Sequence, residues 1–525
     1  MLLSRDLHSV DEVSTQLGLH PLPDSGPVIR VPRTVRRHGV LLAAVATVGT
    51  HLLYVSRWLG DDEGGFSMVA RFWHTSGPYL YGPSWVDRPP GLIAVFAAAN
   101  ELGPFGPRLV AGGVAMVAVL GAADAATSLG GRSSGRWAAW AAFAFYSSAL
   151  LSAQKLNGEL VASTAVLLSI ALVLRADRSR AARPRAWALA LAAGAAAGAA
   201  VLVKQSFVDG VAFGVVLLGL RMLRERRRWR GAATLAVFTA GTAFVLGLAV
   251  VWAASGDRLG DLAYAVGGFR FDAAAVLSSW SPTATLHRLG TLGALAVLSG
   301  LALLLVRTAT ASWRVLRHPS PVGWAVAVTA AVELAGVVAG GSYWAHYLIG
   351  MLPMSVLAAG VVAGSPERWT RRLVLVAVLV TVVTTPVAAV ASHREPEDAR
   401  IGGWIAASAR PGDTITVLYT HPNTAQSSGL EPAYPYAWSL PLRTLDPRLE
   451  LLRSTLEGPR APTWVVEWDS LQSWGLDRDH RLEAVLDFRY RHVADVCGRP
   501  VLLLRGVHRA LAPLTPSACP SSKGP

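Results

Sequence analysis

Between Gly39 and Ala391 the chain alternates long apolar runs with short breaks rich in arginine. Runs close to the ~20 residues a helix needs to cross a bilayer are predicted to be transmembrane helices. They fall at 39–58, 107–129, 137–153, 160–174, 186–203, 207–220, 231–254, 286–306, 321–339, 347–363 and 373–391, about eleven in all. One more run, PPGLIAVFAAANEL at 89–102, is too short to cross and ends in Asn100 and Glu101. It is predicted to be a helix lying in the outer interface, closing the first loop like a lid.

The arginines orient these spans. Arg30, Arg33, Arg36 and Arg37 precede the first run, and further clusters fall at Arg132 and Arg136, Arg175 to Arg185, Arg221 to Arg230, Arg307 to Arg317, and Arg368 to Arg372. Every cluster lies in a loop that alternation assigns to one side, which the positive-inside rule makes cytoplasmic. Residues 1–38 hold no apolar run, so no cleavable signal is expected and the N-terminal segment is cytoplasmic. The loop at 59–105 and everything beyond Ser392 are then extracytoplasmic.

Past Ser392 the pattern changes. Apolar runs shrink to strand length in DTITVLYT (413–420), TWVVEWD (463–469) and PVLLLRG (500–506), with a helical ARIGGWIAASAR (399–410) ahead of the first. This predicts a small α/β domain over 392–511, followed by a disordered tail at 512–525. Cys497 and Cys519 are the two cysteines of the chain. Outside the cell a disulfide between them is permitted, but spacing does not establish it.

Composition agrees with a membrane solvent. Of 525 residues 52% are hydrophobic and only 16% charged, with a mean hydropathy of +0.40, too apolar for an ordinary soluble domain. The net charge of +14 is dispersed among loop clusters and marks topology, not a nucleic-acid footprint. No GxGxxG, Walker or HExxH motif is present, which removes soluble nucleotide and zinc-peptidase chemistry from consideration.

What remains polar gathers in the loops assigned outside. The first, WLGDDEGGFSMVARFWHTSGPYLYGPSWVDRPPG at 58–91, carries Asp61, Asp62, Glu63, Tyr79, Tyr81, Asp87 and Arg88. Carboxylates at a membrane boundary mark either a polar or catalytic site or a solvated loop with helix-capping acids. Asn157 and Glu159 lie in the second outer loop, Lys204 and Gln205 in the third, and Tyr343, Trp344, His346 and Tyr347 in a later one. Of the 48 Lys and Arg residues only Lys155, Lys204 and Lys523 are lysines, and two of these sit at outer membrane ends. They either snorkel or pair with phosphate. Asp87 either serves a substrate or pairs with Arg88 or Arg71 to shape the loop. Tyr79, Tyr81, Tyr343 and Trp344 also fit an interfacial aromatic belt. Glu333, inside a span, is assigned no role. Carboxylates that align or deprotonate an acceptor hydroxyl, together with cations that hold a departing phosphate, suit transfer from an anionic lipid-linked donor. A transporter with midplane ionisable groups and a non-enzymatic envelope scaffold are the competing classes.

These residues resemble a known family. The order 62-DE-63, LYG at 80–82 and WVDRPPG at 85–91, then NGE at 157–159, KQ at 204–205 and AHYLIGMLP at 345–353, is similar to the GT-C glycosyltransferases. The nearest branch is that of the protein O-mannosyltransferases and aminoarabinose transferases, in the form found in actinobacterial membranes. The likeness covers roughly 39–391 and implies an all-α polytopic membrane fold with the small α/β domain appended. It implies transfer, with inversion, of a sugar from a polyprenyl-phosphate donor to an extracytoplasmic protein, lipid or cell-wall glycan, with mannose or a pentose such as arabinose as the sugar. By position, Asp62 resembles the catalytic carboxylate, with Glu63 and Asp61 beside it and Glu159 as a second acidic position. Lys204, His346 and Arg88 resemble donor-phosphate contacts, and Tyr81, Asp87, Asn157, Gln205 and Tyr347 the rest of a substrate surface. Asp61 ahead of the usual pair departs from the pattern and leaves the catalytic register open between Asp61 and Asp62. The carboxylates could work unaided or hold a divalent cation; no metal or other cofactor is expected.

Overall fold

A computed structural model describes residues 33–73, 80–179, 183–224, 228–278, 282–316, 320–365, 367–514 and 519. By internal packing the chain divides into two units. One comprises Met1–Ser56, Arg108–Trp252 and Ser281–Val390; the other comprises Arg57–Pro107, Ala253–Trp280 and Ala391–Pro525. The acidic first loop is therefore grouped with the C-terminal tail, and not with the helices that flank it in sequence.

The first unit is helical. Among the described residues seven helices are long and apolar enough to cross a membrane, or eight if the pair Thr283–Leu298 and Leu301–Thr310, bent by 75°, is one span. The eleven expected crossings are thus not all reproduced, and three causes account for the difference. The first run is an apolar helix only over His38–Leu52, because the chain turns before Trp58. The run at 207–220 forms the helix Asp209–Arg224, of 16 residues. The runs at 107–129 and 137–153 form one of the seven as two helical arms of the stretch Gly106–Tyr146, divided at Gly130 and at Gly131, whose φ is +80°. Glycine takes that left-handed conformation without a steric penalty, so the stretch is interrupted at its polar middle.

Close packing in this unit comes from absent side chains and back-bonding hydroxyls. A Cβ on Gly194 would lie 1.9 Å from the carbonyl oxygen of Phe238, and one on Gly241 would lie 2.2 Å from that of Leu191. The AAGAAAGAA run of Arg183–Val203 thus lets its backbone touch the helix Arg228–Ser255, as small residues do where lipid supplies no hydrophobic drive. Thr242 Oγ1 donates to the Gly194 carbonyl at 3.0 Å across the same seam. Thr381 donates to the Ala144 carbonyl at 2.6 Å and Thr385 to that of Ser147 at 3.0 Å. Buried Glu333, unassigned from sequence, accepts the Met354 N–H at 3.0 Å. It thereby satisfies an amide in the first turn of Leu352–Gly364.

The second unit contains a five-stranded sheet of order β2-β1-β3-β5-β4. Its strands are β1 (Thr414–Val417), β2 (Glu431–Pro432), β3 (Trp464–Val466), β4 (Tyr490–Val496) and β5 (Arg499–Leu504). β1 pairs in parallel with β2 and β3, whereas β5 runs antiparallel to β3 and β4. β1, β3 and β5 are the three apolar runs read from sequence, and the helix Glu397–Ser408 is the helix read before them. The short β2 and the mixed-polarity β4, RHVAD at its centre, carry no comparable signal. Asp413 ties the end of the chain down: Arg509 Nε donates to it at 2.9 Å and Trp464 Nε1 at 3.0 Å. Trp404 Nε1 donates to the Ala512 carbonyl at 2.9 Å, so the chain is still packed where a disordered tail was expected to begin. Residues 515–518 and 520–525 lie outside the described set. Cys497 and Cys519 form a disulfide.

The first-loop helix, Asp61–Phe72, buries Glu63 through Ala70 within this second unit. Phe66 meets Phe96 of the helix Pro90–Asn100 with ring centroids 5.6 Å apart, and Ser67 donates to Asn100 Oδ1 at 2.7 Å. Its two glycines set the approach to the tail. A Cβ on Gly64 would lie 2.5 Å from Asn423 Cβ, and one on Gly65 would lie 2.3 Å from the Trp438 ring.

Gly64→Ala is therefore expected to destabilise the second unit by about 1–3 kcal/mol, the usual cost of overpacking a fitted contact. Gly403→Ala, where nothing lies within 4 Å of the new Cβ, should be neutral or slightly stabilising. Thermal unfolding of the detergent-solubilised full chain distinguishes the two, and equal midpoints would remove the glycine contact as a determinant.

Candidate active site

Each unit carries a polar cluster that bears on function. In the second unit the cluster starts at the N-terminus of Asp61–Phe72, whose first turn is Asp61, Asp62 and Glu63. Acids in the first turn complement the helix dipole. Glu63, only 1% exposed, accepts the Gly60 N–H at 3.3 Å, which is the carboxylate half of a capping arrangement. Asp62 is exposed and accepts a hydrogen bond from Trp438 Nε1 at 3.1 Å on its Oδ1. The indole is itself held, packing on Phe66 with centroids 5.2 Å apart. Asp61 Oδ1 lies 3.8 Å from His421 Nδ1, and that nitrogen is 2.7 Å from Asp398 Oδ1. Asp61, Asp398 and His421 place one ligand-type atom each within 4.8 Å of one another, a group that could hold a metal ion.

Farther along the loop the polar residues bind one another. Asp87 pairs at 2.6 Å with Arg88 and at 2.6 Å with Arg270. Burial pushes its carboxyl up, but Arg270 and then Arg88 outweigh burial and hold it below its ordinary value. Tyr81 Oη donates to the Arg88 carbonyl at 2.7 Å. Burial, with Asp87 beside it, holds the Tyr81 phenol protonated well above its usual range. Tyr81 has φ +69°, a strained conformation secured here by its N–H bond to the Ser84 carbonyl at 2.9 Å. Asp87, Arg88 and Tyr81 thus shape the loop. Tyr79 lies outside the described residues.

In the first unit Glu159, Lys204, His346 and Tyr347 converge. Lys204 Nζ forms a short ion pair with Glu159 Oε1, and His346 Nε2 stands 3.5 Å from the same oxygen. Lys204 Nζ also sits 4.7 Å from the centroid of Tyr347, and His346 meets Tyr347 edge to face at 5.2 Å. Glu159 lies in the first turn of Gly158–Arg178, Lys204 just past the end of Arg183–Val203, and His346 and Tyr347 in the 3-10 turn Ala345–Met351. Three helix ends thus bring a carboxylate, an ammonium and an imidazole together in a largely buried place. Asn157 caps the Gly158–Arg178 helix, accepting the Leu160 N–H at 2.8 Å. Gln205 is half-buried next to Lys204. Trp344 is 47% exposed and carries Arg288 at 4.6 Å over its ring, as an interfacial aromatic does.

Sequence reading named Glu159, Lys204 and His346, in three separate loops, and the acidic turn; the structure brings the first three together. Sequence reading missed Trp438, Asp398, His421 and Arg270. The first three sit in a tail read only for its strands, and Arg270 was counted among scattered outer cations. The turn YTHPN at 419–423 was a local signal, since a histidine before proline is biased out of the helical region, but nothing in it names Asp61 as a neighbour.

Several solved structures have this architecture. The chain is similar to ArnT from Cupriavidus metallidurans bound to undecaprenyl phosphate, at 17% identity and a TM-score of 0.61, over 90% of this chain and 98% of that one. It is similar to the oligosaccharyltransferase of Archaeoglobus fulgidus in its apo form, at 13% identity and a TM-score of 0.55, over 83% and 70% of the two chains. AglB from Archaeoglobus fulgidus in complex with an inhibitory peptide and a dolichol-phosphate gives 14% identity and a TM-score of 0.51, over 87% and 73%. No family profile and no curated protein sequence matches the chain. At these identities the likeness is one of fold: the chain shares the fold of these structures, with several helices long and apolar enough to cross a membrane.

Because Asp87 is held below its ordinary value by Arg270 and Arg88, its contribution to stability is complete above its unfolded pKa and is lost as pH falls through the folded value. Amide protection at Tyr81, corrected for intrinsic exchange, should be flat from pH 7 to about 5 and fall only below about pH 4. Asp87→Asn should show the loss already at pH 7. Protection unchanged in that variant would mean the ion pairs do not anchor the loop.

Proposed function

We propose that the chain is an integral membrane glycosyltransferase that moves a sugar from a polyprenyl-phosphate donor to an extracytoplasmic acceptor, with inversion. The observation that carries this reading is Asp62, an exposed carboxylate aimed by the Trp438 indole at the head of the first-loop helix of a chain with the GT-C fold. The relatives in fold include proteins whose structures hold undecaprenyl phosphate and dolichol-phosphate, which supports a polyprenyl-phosphate donor here. In this reading Asp62 accepts the proton of the acceptor hydroxyl as that oxygen bonds to the anomeric carbon from the face opposite the departing phosphate. Polyprenyl phosphate leaves with the electrons of the broken C–O bond. Of the two aspartates Asp62 is the better candidate, since Asp61 is turned toward His421 and Asp398.

Lys204 and His346 are assigned to the donor phosphate. Lys204 is paired with Glu159 in the structure, so phosphate binding means that the ammonium shares or exchanges that partner. Glu159 keeps the lysine charged and placed in a largely buried setting. Glu63 is assigned to capping and Arg88, Asp87, Tyr81 and Asn157 to holding loops. The N-terminus is assigned to the cytoplasm and the tail to the outside, with eleven crossings if His38–Leu52, Asp209–Arg224 and both arms of Gly106–Tyr146 each cross.

In nanodiscs, with radiolabelled polyprenyl-phospho-mannose or polyprenyl-phospho-arabinose and an envelope acceptor fraction, wild type should transfer label. Asp62→Asn should lose at least about 100-fold while remaining monodisperse, as expected for removing a general base. Transfer undiminished in Asp62→Asn would sink its role, and none from either donor by folded wild type would move transport or scaffolding ahead.

Lys204→Met alone should cost about 3 kcal/mol of stability by stranding the Glu159 carboxylate. Lys204→Met with Glu159→Gln should recover the fold yet bind the polyprenyl-phospho-sugar at least about tenfold more weakly. Wild-type donor affinity in that double variant would return Lys204 to a purely structural place.

A further inference from the structure

Asp61, Asp398 and His421 come from three elements of the second unit: the first residue of Asp61–Phe72, the first turn of Glu397–Ser408, and the turn ahead of Pro422–Ser428. Their ligand-type atoms converge within 4.8 Å. His421 Nδ1 stands 2.7 Å from one carboxylate oxygen and 3.8 Å from the other. That nitrogen carries one proton at most and can satisfy one of the two carboxylates through a hydrogen bond. Two anionic oxygens and one imidazole nitrogen around a common point are the donor set of a divalent cation. With metal bonds of about 2.0–2.2 Å, a tetrahedral ion separates its ligand atoms by roughly 3.3–3.6 Å, between the two distances seen.

The supporting residues hold the set in place. Asp398, 9% exposed, also accepts from Thr424 Oγ1 at 3.2 Å. The His421 ring stacks on Trp468 with centroids 3.8 Å apart, and Arg499 lies 4.9 Å over the other ring system. Second contacts of this kind fix ligand direction at metal centres. On the same turn the Asn423 side-chain oxygen is buried and accepts no hydrogen bond, so this turn holds an oxygen that lacks a donor. Asp61, by contrast, is exposed, its side chain 55% accessible, which leaves a path for an ion to enter.

We propose that Asp61, Asp398 and His421 form a binding site for a divalent transition-metal cation of the zinc class. One imidazole with two carboxylates suits such an ion better than Mg2+ or Ca2+, which prefer all-oxygen shells of six or more ligands. Three protein ligands leave the fourth position open. The bound cation crosslinks the acidic first turn, beside Asp62, to the tail helix and the 419–423 turn. This site is an addition to the sequence reading, in which no metal was expected. It stands apart from the transferase reading, because it is tested by binding alone.

The test is calorimetric titration of Zn2+ into the full chain in nanodiscs after chelator stripping. Wild type should bind one ion per chain, and His421→Ala and Asp398→Asn should each weaken binding at least about tenfold. Asp61→Asn, at an exposed position that leaves the core intact, should weaken it as well, which keeps the proposal testable if the buried variants misfold. His480→Ala, a surface histidine paired with Glu483, should bind as wild type does. X-ray absorption of the zinc-loaded wild type should show one imidazole nitrogen among oxygens. No stoichiometric binding by wild type, unchanged affinity in Asp61→Asn, or a shell without imidazole would each overturn the site. Displacement of Zn2+ by equimolar Mg2+ would overturn the assignment of cation class.

Discussion

Two missing side chains hold the acidic loop in place. Because Gly64 and Gly65 carry no Cβ, the first-loop helix comes so near the 422–423 turn and the Trp438 ring that an alanine at either place would overlap them. That approach gives Asp62 its indole donor and brings Asp61 to His421 and Asp398. A helix dipole then favours the acids at that end over any other. The loop needs Gly-Gly directly after Asp-Asp-Glu for a steric reason, and its chemistry follows from the contact.

The first unit solves a related problem with charge. Glu159 and Lys204 are both largely withdrawn from water, and each is tolerable there because the other is present. His346 and Tyr347 complete the surroundings, the imidazole beside the same carboxylate oxygen and the phenol ring against the ammonium. Such a group holds its ammonium in a fixed place with most of its water already removed. Preorganisation of this sort is worth more than the same charges on flexible surface chains.

Reading polar loops one by one worked where the partners were helix ends facing the same boundary. Topology put Glu159, Lys204 and His346 at one boundary, since spans of known length carry their termini to a common level; their contacts come from the structure. The sequence left Arg88, Asp87 and Tyr81 open. Loop residues of opposite sign a residue apart offered both a substrate role and mutual pairing, and the structure shows the pairing. It also gave no place to Trp438, because an indole in a polar tail has no periodicity to betray its partner.

The sequence by itself determined the solvent, the helices and the three central strands, because hydrophobic length and alternation report burial locally. It also determined the polar residues available for chemistry. Tertiary structure alone decided that the first loop is grouped with the tail and that Cys497 meets Cys519. It alone decided which aspartate faces an indole and which a histidine. The choice between the aspartates depends on residues more than three hundred positions apart coming together, Asp62 with Trp438 at 3.1 Å and Asp61 with His421 at 3.8 Å. Contact at that separation follows from the packing of whole elements, which no local pattern of apolar and polar residues records.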